Sequence, residues 1–275
     1  MLSEAPGREE EMSEQHETYP NVVEALVLVV VLILIEMLVS AAMFDTDFLM
    51  NADWVDVSGL ITVFGNGVLF IGLMAYKQMD YAALFHPTRN SVTATLGVVT
   101  LPILLLVPGL ILAAGAVNAI VVWLVPMSVE DQTMFDQVMS SGPLALFFAC
   151  VAAPILEEML FRGVMLRSFL RQYSRTKAIL CSSAIFGIAH LNIYQLATAF
   201  AIGIVAGWLY ERCRSLWPCI LLHATYNASV TWLYAHEGDA TSVEGTLAFT
   251  ACAFIAAIIG GLALLRLLGT QHVRR

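Results

Sequence analysis

The chain has 275 residues, of which 59% are hydrophobic and only 13% are charged. A soluble domain is about 45–50% apolar and about 25% charged, so this composition excludes an ordinary soluble protein and predicts a polytopic membrane protein. The formal net charge is −9, whereas a protein that binds nucleic acid needs a basic surface. We therefore expect no nucleic-acid partner.

The N-terminal segment is acidic. Residues 1–20 carry six glutamates and no apolar stretch of the kind that a signal peptide contains. We therefore predict a short disordered acidic tail over residues 1–21, with no signal peptide. A single transmembrane domain is predicted to follow over residues 22–270.

Long apolar runs fill the rest of the chain. Runs of about 17–25 apolar residues predict membrane-spanning helices. The segments of this kind lie at 22–44, 58–76, 95–125, 143–166, 178–191, 193–211, 217–235 and 246–268. Pro102, Pro108 and Gly109 are expected to bend the third segment or to separate a re-entrant piece from it. The predicted fold is all-α, with about eight transmembrane helices.

The basic residues predict the orientation of these spans. Lys and Arg favour the cytoplasmic side of a membrane. All 13 of them lie in five segments, namely 1–21, 77–92, 162–177, 212–216 and the C-terminal end. Successive spans cross the membrane in opposite directions, so placing all five segments in the cytoplasm requires the chain to reverse between the fifth and sixth spans. We place this reversal at Asn192. We expect both termini to be cytoplasmic, in a prokaryotic-type plasma membrane rather than the endoplasmic reticulum.

The fourth span carries two acids and an arginine. Glu157 and Glu158 are adjacent in a long apolar run, and Arg162 follows Glu158 by four positions. Residues i and i+4 share a helix face, so Glu158 and Arg162 are expected to pair. Glu157 points about 100° away from Glu158. Because an ionised group inside a membrane is costly, we interpret the unpaired Glu157 as functional.

Three further polar residues are predicted at a similar depth. His190 lies at the end of the fifth span, and His223 and Asn227 share one face of the seventh span. At 1.5 Å per residue, Glu157, His190, His223 and Asn227 all fall roughly 9–18 Å from the cytoplasmic ends of their helices. The alternative to a functional site is that these four polar side chains only hold the helices together, although such contacts contribute on average only about 0.6 kcal/mol.

Two chemistries suit this set of side chains. A carboxylate and two imidazoles are a known zinc ligand set, which makes Glu157, His190 and His223 the ligands if a metal is present. Without a metal, Glu157 or His190 would take a proton from water, and the water would attack a peptide carbonyl. His223 and Asn227 would then donate hydrogen bonds to the developing oxyanion. The five cysteines form no C-x-x-C pair, and we expect free thiols with neither a disulfide nor a zinc site.

The motifs together resemble the CPBP family of intramembrane proteases, the relatives of the CAAX prenyl endopeptidase that are also called the Abi family. The family pattern E-E-x-x-x-R, F-x-x-x-H and H-x-x-x-N is matched by Glu157 to Arg162, Phe186 to His190 and His223 to Asn227. The resemblance covers roughly residues 143–235.

The resemblance implies an activity and a role for each matched residue. Glu157 and His190 would activate the water, His223 and Asn227 would form the oxyanion hole, and Glu158 and Arg162 would support the site. It also implies a glutamate-dependent peptidase that needs no cofactor, with zinc as the less favoured alternative. The substrate would be a peptide or a lipidated C-terminus in contact with membrane lipid.

Two other functions compete with this one. A non-catalytic membrane scaffold or bacteriocin self-immunity protein would keep the motifs for helix packing. A proton-coupled transporter would use Glu36 and Glu157 as proton carriers, but the sequence contains no evident inverted repeat. Glu36 in the first span fits a structural partner or a lipid-boundary residue as well as a site residue.

Overall fold

The computed structural model of the chain describes residues 18–44, 53–236 and 243–269, and it leaves out the side chains of residues 44 and 243–246. The described residues form helices and no strand, so the predicted all-α polytopic fold is confirmed. The helices are α1 (Val22–Phe44), α2 (Trp54–Lys77), α3 (Tyr81–Phe85), α4 (Val92–Leu124), α5 (Val129–Met139), α6 (Pro143–Gln172), α7 (Arg175–Ala189), α8 (Ile193–Cys213), α9 (Trp217–Ala235) and α10 (Val243–Gly269). Residues 1–17 of the predicted tail lie outside the described residues.

Eight of these helices lie where the spans were predicted. Six of them are long and apolar enough to cross a membrane: α1, α2, α4, α6, α8 and α10. The other two are α7, which has only 15 residues, and α9, whose 19 residues include His223 and Asn227. The two helices outside this set of six are therefore the ones associated with the predicted histidines, since α7 ends beside His190 and α9 contains His223.

Helix α4 is continuous through both of its prolines, so no re-entrant piece separates from it. It packs closely along α10 through small residues. A Cβ atom added at Gly260 would lie 2.5 Å from the backbone oxygen of Pro102, and one added at Gly109 would lie 2.2 Å from Cβ of Ala257. The absence of side chains at these positions lets the two helix backbones approach each other.

The predicted reversal at Asn192 is confirmed. Helix α7 ends at Ala189, Leu191 adopts a left-handed backbone conformation with φ of 51°, and Asn192 caps α8 by accepting hydrogen bonds from the backbone N–H groups of Tyr194 and Gln195. The two helices then pack antiparallel. A Cβ atom at Gly187 would lie 2.8 Å from the Leu196 oxygen, so this glycine permits the tight hairpin that positions His190.

Candidate active site

The site is built on α6, which is not a regular α-helix. Two π-helical segments, Phe148–Ala152 and Met159–Leu166, flank the α-helical turn Ala153–Glu158. A π-helical turn is wider than an α-helical turn, and such segments occur frequently at functional sites. The two glutamates thus stand between two local distortions of the helix.

Glu158 and Arg162 form the predicted ion pair, and they are completely buried. Nη1 of Arg162 donates to Oε1 of Glu158 over 2.8 Å, with the two side chains 1% and 0% exposed. Nη2 of Arg162 also donates to the backbone oxygen of Gly203 on α8 over 3.3 Å. Removing one partner of a buried pair leaves an uncompensated charge, so each partner requires the other. The pair joins α6 to α8 beneath the candidate site.

His223 lies between the two glutamates. Its Nδ1 is 2.9 Å from Oε1 of Glu158, and its Nε2 is 3.7 Å from Oε2 of Glu157. A carboxylate only accepts hydrogen bonds when ionised, so Nδ1 of His223 carries a hydrogen and donates it to Glu158. This bond orients the ring so that Nε2 faces Glu157, whose side chain is 28% exposed. The gap between Nε2 and Glu157 is longer than a hydrogen bond.

Phe186 organises the cationic and imidazole groups around its ring. The guanidinium carbon of Arg162 lies 4.5 Å from the ring centroid, a distance that suits a cation–π contact. The ring centroids of His190 and His223 lie 5.0 and 5.6 Å from that of Phe186, in edge-on geometry. Phe186 therefore contacts both histidines and the arginine of the buried pair.

His190 occupies the position where α7 ends. Its Nδ1 is 2.9 Å from the backbone oxygen of Phe186. A carbonyl oxygen only accepts hydrogen bonds, so Nδ1 carries the hydrogen and Nε2 of a neutral ring keeps a lone pair. The F-x-x-x-H spacing thus fixes the tautomer in which His190 is able to accept a proton at Nε2.

Asn227 lies one helical turn after His223 on α9. Its Nδ2 donates to the backbone oxygen of Ala149 over 2.8 Å, and this oxygen belongs to the first π-helical segment of α6. One N–H of the side-chain amide is used in that contact, and the amide carries a second. Asn227 therefore connects α9 to α6 and keeps a donor for a further acceptor.

The charges of the central residues balance when His223 is protonated. Glu157 and Glu158 are then matched by Arg162 and the His223 imidazolium. In that state both ring nitrogens of His223 carry hydrogens, one bound to Glu158 and one directed toward Glu157. A protonated Nε2 is a suitable donor for a negatively charged oxygen that approaches it from the side of Glu157.

The side chains do not fit a three-ligand zinc site. Glu157 and His223 face each other, whereas Nδ1 of His190 is engaged by the backbone oxygen of Phe186. Within residues 18–44, 53–236 and 243–269, no three His, Cys, Asp or Glu side chains are grouped so that they could hold a metal ion.

The structure thus brings four of the predicted site residues into contact range of one another: Glu157, Glu158, Arg162 and His223. His190 and Asn227 lie around this group without a direct contact to Glu157. Three features were not predicted from the sequence: the π-helical segments, the second bond of Glu158 to His223, and the central position of Phe186. The central position of Phe186 could have been predicted from the sequence, because Phe186 is the phenylalanine of the F-x-x-x-H motif.

Comparison with known proteins identifies relatives of the motif-bearing region. Residues 139–229 match the family model described as type II CAAX prenyl endopeptidase Rce1-like. Over 117 residues the chain is 31% identical to "Putative membrane peptidase YdiL" of Bacillus subtilis (strain 168), which covers 42% of this chain and 48% of that protein. Over 85 residues it is 35% identical to "Uncharacterized 24.3 kDa protein" of Escherichia coli, which covers 29% of this chain and 39% of that protein. The chain thus spans about half the length of these relatives or less, and no solved structure matches it significantly.

Proposed function

We propose, from the relationship of residues 139–229 to the CAAX-type family of membrane proteases, that this integral membrane protein is an intramembrane endopeptidase. The predicted family resemblance is confirmed over that region. The observation that carries the proposal is the arrangement of Glu157 and His223, which face each other across 3.7 Å above the buried Glu158–Arg162 pair. A general base and a hydrogen-bond donor at this separation suit the addition of water to a carbonyl group.

The proposed reaction is the hydrolysis of a peptide bond by water. Glu157, assisted by Nε2 of His190, takes a proton from a water molecule while the water oxygen bonds to the carbonyl carbon. His223 and Asn227 donate hydrogen bonds to the oxygen that becomes negative. The carbon–nitrogen bond then breaks, and the proton held by Glu157 passes to the leaving amine. No metal or other cofactor takes part in this scheme.

The buried pair supports the reaction through His223. Glu158 holds the hydrogen on Nδ1, which directs Nε2 toward Glu157. Arg162 compensates the charge of Glu158 and contacts the face of Phe186, whose ring also contacts both histidines. We assign Glu158 and Arg162 to positioning, because both side chains are buried and cannot be reached by a substrate.

The proposed substrate is a peptide that the membrane presents to the site. A segment of a membrane protein, or a C-terminal peptide anchored by a lipid as in CAAX substrates, reaches side chains within the bilayer. We place the site on the cytoplasmic side of the membrane and both termini in the cytoplasm of a prokaryotic-type cell, as the distribution of basic residues predicts.

The test is cleavage of a lipidated CAAX-type peptide and of its unlipidated form by the purified protein in liposomes. Glu157→Gln and His190→Ala should each abolish cleavage while the detergent-solubilised protein stays folded. Glu130→Gln on the exposed face of α5 is the matched control and should cleave as the wild type does. Cleavage by either site variant at the wild-type rate would contradict the assignment.

A non-catalytic scaffold or immunity protein is the second candidate. The observation in its favour is that Glu158, Arg162 and the Gly203 oxygen join α6 and α8 through buried polar contacts that serve stability by themselves. In that case Glu157→Gln would leave the cellular phenotype unchanged, whereas Arg162→Ala would abolish it by lowering stability. Loss of phenotype in a stably folded Glu157→Gln variant would decide for the enzyme.

A further inference from the structure

An apolar groove runs along the outside of the helix bundle, where four helices meet. It has a volume of about 530 Å³ and is lined by residues of α4, α7, α8 and α10. Sites for small molecules usually measure about 300–1,000 Å³, so the groove is large enough to hold one. None of its lining residues belongs to α6 or to the candidate active site. The groove therefore needs an explanation of its own.

Hydrocarbon side chains form the walls of the groove. Leu106 of α4, Ile204 of α8 and Leu265 of α10 line it, together with Leu180 of α7. Leu180 follows Arg175, which also lines the groove, by about 8 Å along the axis of α7. Walls of this kind and length match the part of a lipid acyl chain that lies next to its headgroup.

Two arginines lie at one end of the groove. Arg175 lines it, and Arg212 lies one helical turn after Trp208, another lining residue. Nε of Arg175 is 3.1 Å and Nε of Arg212 is 3.2 Å from the same carboxylate oxygen of Glu211. Glu211 thus holds the two guanidinium groups side by side. Two positive charges share one negative charge, and each guanidinium carries further N–H donors on its Nη atoms.

The charges near this end of the groove are mostly positive. Lys177 of α7 and Arg266 of α10 each lie next to a lining residue in the chain. The only acidic residue in the segments 171–177 and 211–216 is Glu211. This end of the helices is also the one that the basic residues predict to be cytoplasmic. The groove thus combines hydrocarbon walls with an excess of positive charge at the level of lipid headgroups.

We propose that this groove binds an anionic phospholipid, with its phosphate between Arg175 and Arg212 and one acyl chain along the apolar walls. Arginine binds phosphate oxygens with paired N–H groups, and basic residues between transmembrane helices attract anionic headgroups. A soluble anion would leave the walls uncovered, and a zwitterionic lipid has no net negative charge to balance the arginines. The inference does not depend on the proposed function, because the groove and the candidate active site share no residue.

The direct test uses the fluorescence of Trp208, one of five tryptophans in the chain. A full-length variant keeps Trp208 and has phenylalanine at the other four positions. It is reconstituted in phosphatidylcholine vesicles that contain a fixed fraction of brominated phosphatidylglycerol or of brominated phosphatidylcholine, because bromine quenches a nearby indole. Phosphatidylglycerol should bind beside Trp208 roughly fivefold more tightly, the effect of about one basic residue near an anionic headgroup. Equal quenching by the two lipids would overturn the proposal.

Trp123 provides the matched control. Its side chain is 79% exposed on α4, and it does not line the groove. A variant that keeps only Trp123 should be quenched equally by the two brominated lipids. A preference for phosphatidylglycerol as large as that at Trp208 would mean that the whole surface collects anionic lipid, and it would refute a specific site in the groove.

The contribution of charge is tested by Arg175→Gln in the variant that keeps Trp208. We expect the preference for phosphatidylglycerol to fall about fivefold, so that the two lipids quench almost equally. Arg89→Gln is the control, because Arg89 is exposed in the loop between α3 and α4 and does not line the groove. A full preference in Arg175→Gln, or the same loss in Arg89→Gln, would contradict binding of the phosphate at Arg175.

A last experiment keeps all tryptophans and decides if the single-tryptophan variants do not fold. Gly261 lines the groove, and a Cβ atom added there would lie 3.9 Å from Cδ1 of Leu106, an ordinary contact. Gly261→Leu should therefore fold and fill the groove, whereas a Cβ atom at Gly72 on α2 has no atom within 4 Å. Phosphatidylglycerol added in detergent should raise the melting temperature of wild type and of Gly72→Leu but not of Gly261→Leu. An equal rise in all three proteins would overturn the proposal.

Discussion

One carboxylate oxygen, Oε1 of Glu158, accepts hydrogen bonds from both Arg162 and His223, at 2.8 and 2.9 Å. The same atom therefore compensates a buried cation and orients an imidazole that faces Glu157. Stability and the geometry of the candidate active site depend on a single buried group, and its removal should affect both.

The variant Glu158→Gln is expected to destabilise the protein by about 3–5 kcal/mol, because Arg162 would remain buried without its counter-charge. Reversible unfolding in mixed detergent measures this difference. The adjacent change Glu157→Gln is the control, since a side chain that is 28% exposed and unpaired in its own helix should alter stability much less. Equal stabilities for the two variants would contradict the structural role of the buried pair.

Replacing Asn227 by Asp or Ala should lower kcat by about 10²–10³-fold, the usual effect of losing one oxyanion donor. Asn227→Asp keeps the shape of the side chain but removes its N–H groups, including the one bound to the Ala149 oxygen. Thr231→Val, which removes a hydroxyl that donates to the Asn227 backbone oxygen, is a nearby control on the same helix. Steady-state kinetics on the cleaved peptide provide the measurement, and a kcat within twofold of wild type would exclude Asn227 from the oxyanion hole.

The substitution Gly187→Ala should reduce activity because it pushes α7 away from α8 three residues before His190. The added methyl group would lie 2.8 Å from the Leu196 backbone oxygen, which cannot move as a flexible side chain does. Overpacking of this kind costs about 1–3 kcal/mol. Gly97→Ala on α4 adds a methyl group in open space and should leave both thermal stability and cleavage near wild type.

Cleavage is expected to continue in the presence of a metal chelator. Glu157 and His223 face each other, but among the described residues no third His, Cys, Asp or Glu side chain completes a group that could hold a metal ion. The measurement is the cleavage rate with and without EDTA or 1,10-phenanthroline, together with elemental analysis of the active protein. Loss of activity that zinc restores would overturn the metal-free scheme.

The loops at the two ends of α4 should lie on opposite sides of the membrane. At 1.5 Å per residue, the 33 residues of this helix extend for about 50 Å, which exceeds the thickness of the bilayer. In a cysteine-free background, Thr133→Cys on α5 should react with a membrane-impermeant maleimide added to intact cells. Asn90→Cys should react only after permeabilisation, and the reverse pattern would invert the predicted topology.

Local contacts were the part of the site that the sequence predicted well. The Glu158–Arg162 pair depends on two residues four positions apart on one helix, and such spacing determines their proximity whatever the rest of the fold does. Predicting that His223 approaches Glu157 required more information than residue spacing, because the contact depends on the orientation of α9 relative to α6. The alternation of basic segments supplied that orientation.

The remaining features follow from packing between helices. The π-helical turns of α6 were not predicted, and the contact of Asn227 with the Ala149 oxygen in the first of them comes from a different helix. The contacts of Glu36 with Asn66 and Gly65 were also not predicted, because they form only when α1 and α2 pack together. His190 was predicted near Glu157, but its contact with the Phe186 ring was not foreseen.

The i,i+4 arrangement of Glu158 and Arg162 also bears on biogenesis. A membrane protein is synthesised from its N-terminus, so α6 enters the translocon before α9 supplies His223. Arg162 neutralises Glu158 within the nascent helix at that stage, which lowers the cost of partitioning both charges into lipid. Glu157 has no such companion in α6, and its insertion depends on the helices that arrive later. The residue proposed for catalysis is thus also the one whose stable insertion into the membrane depends on packing of the C-terminal helices against α6.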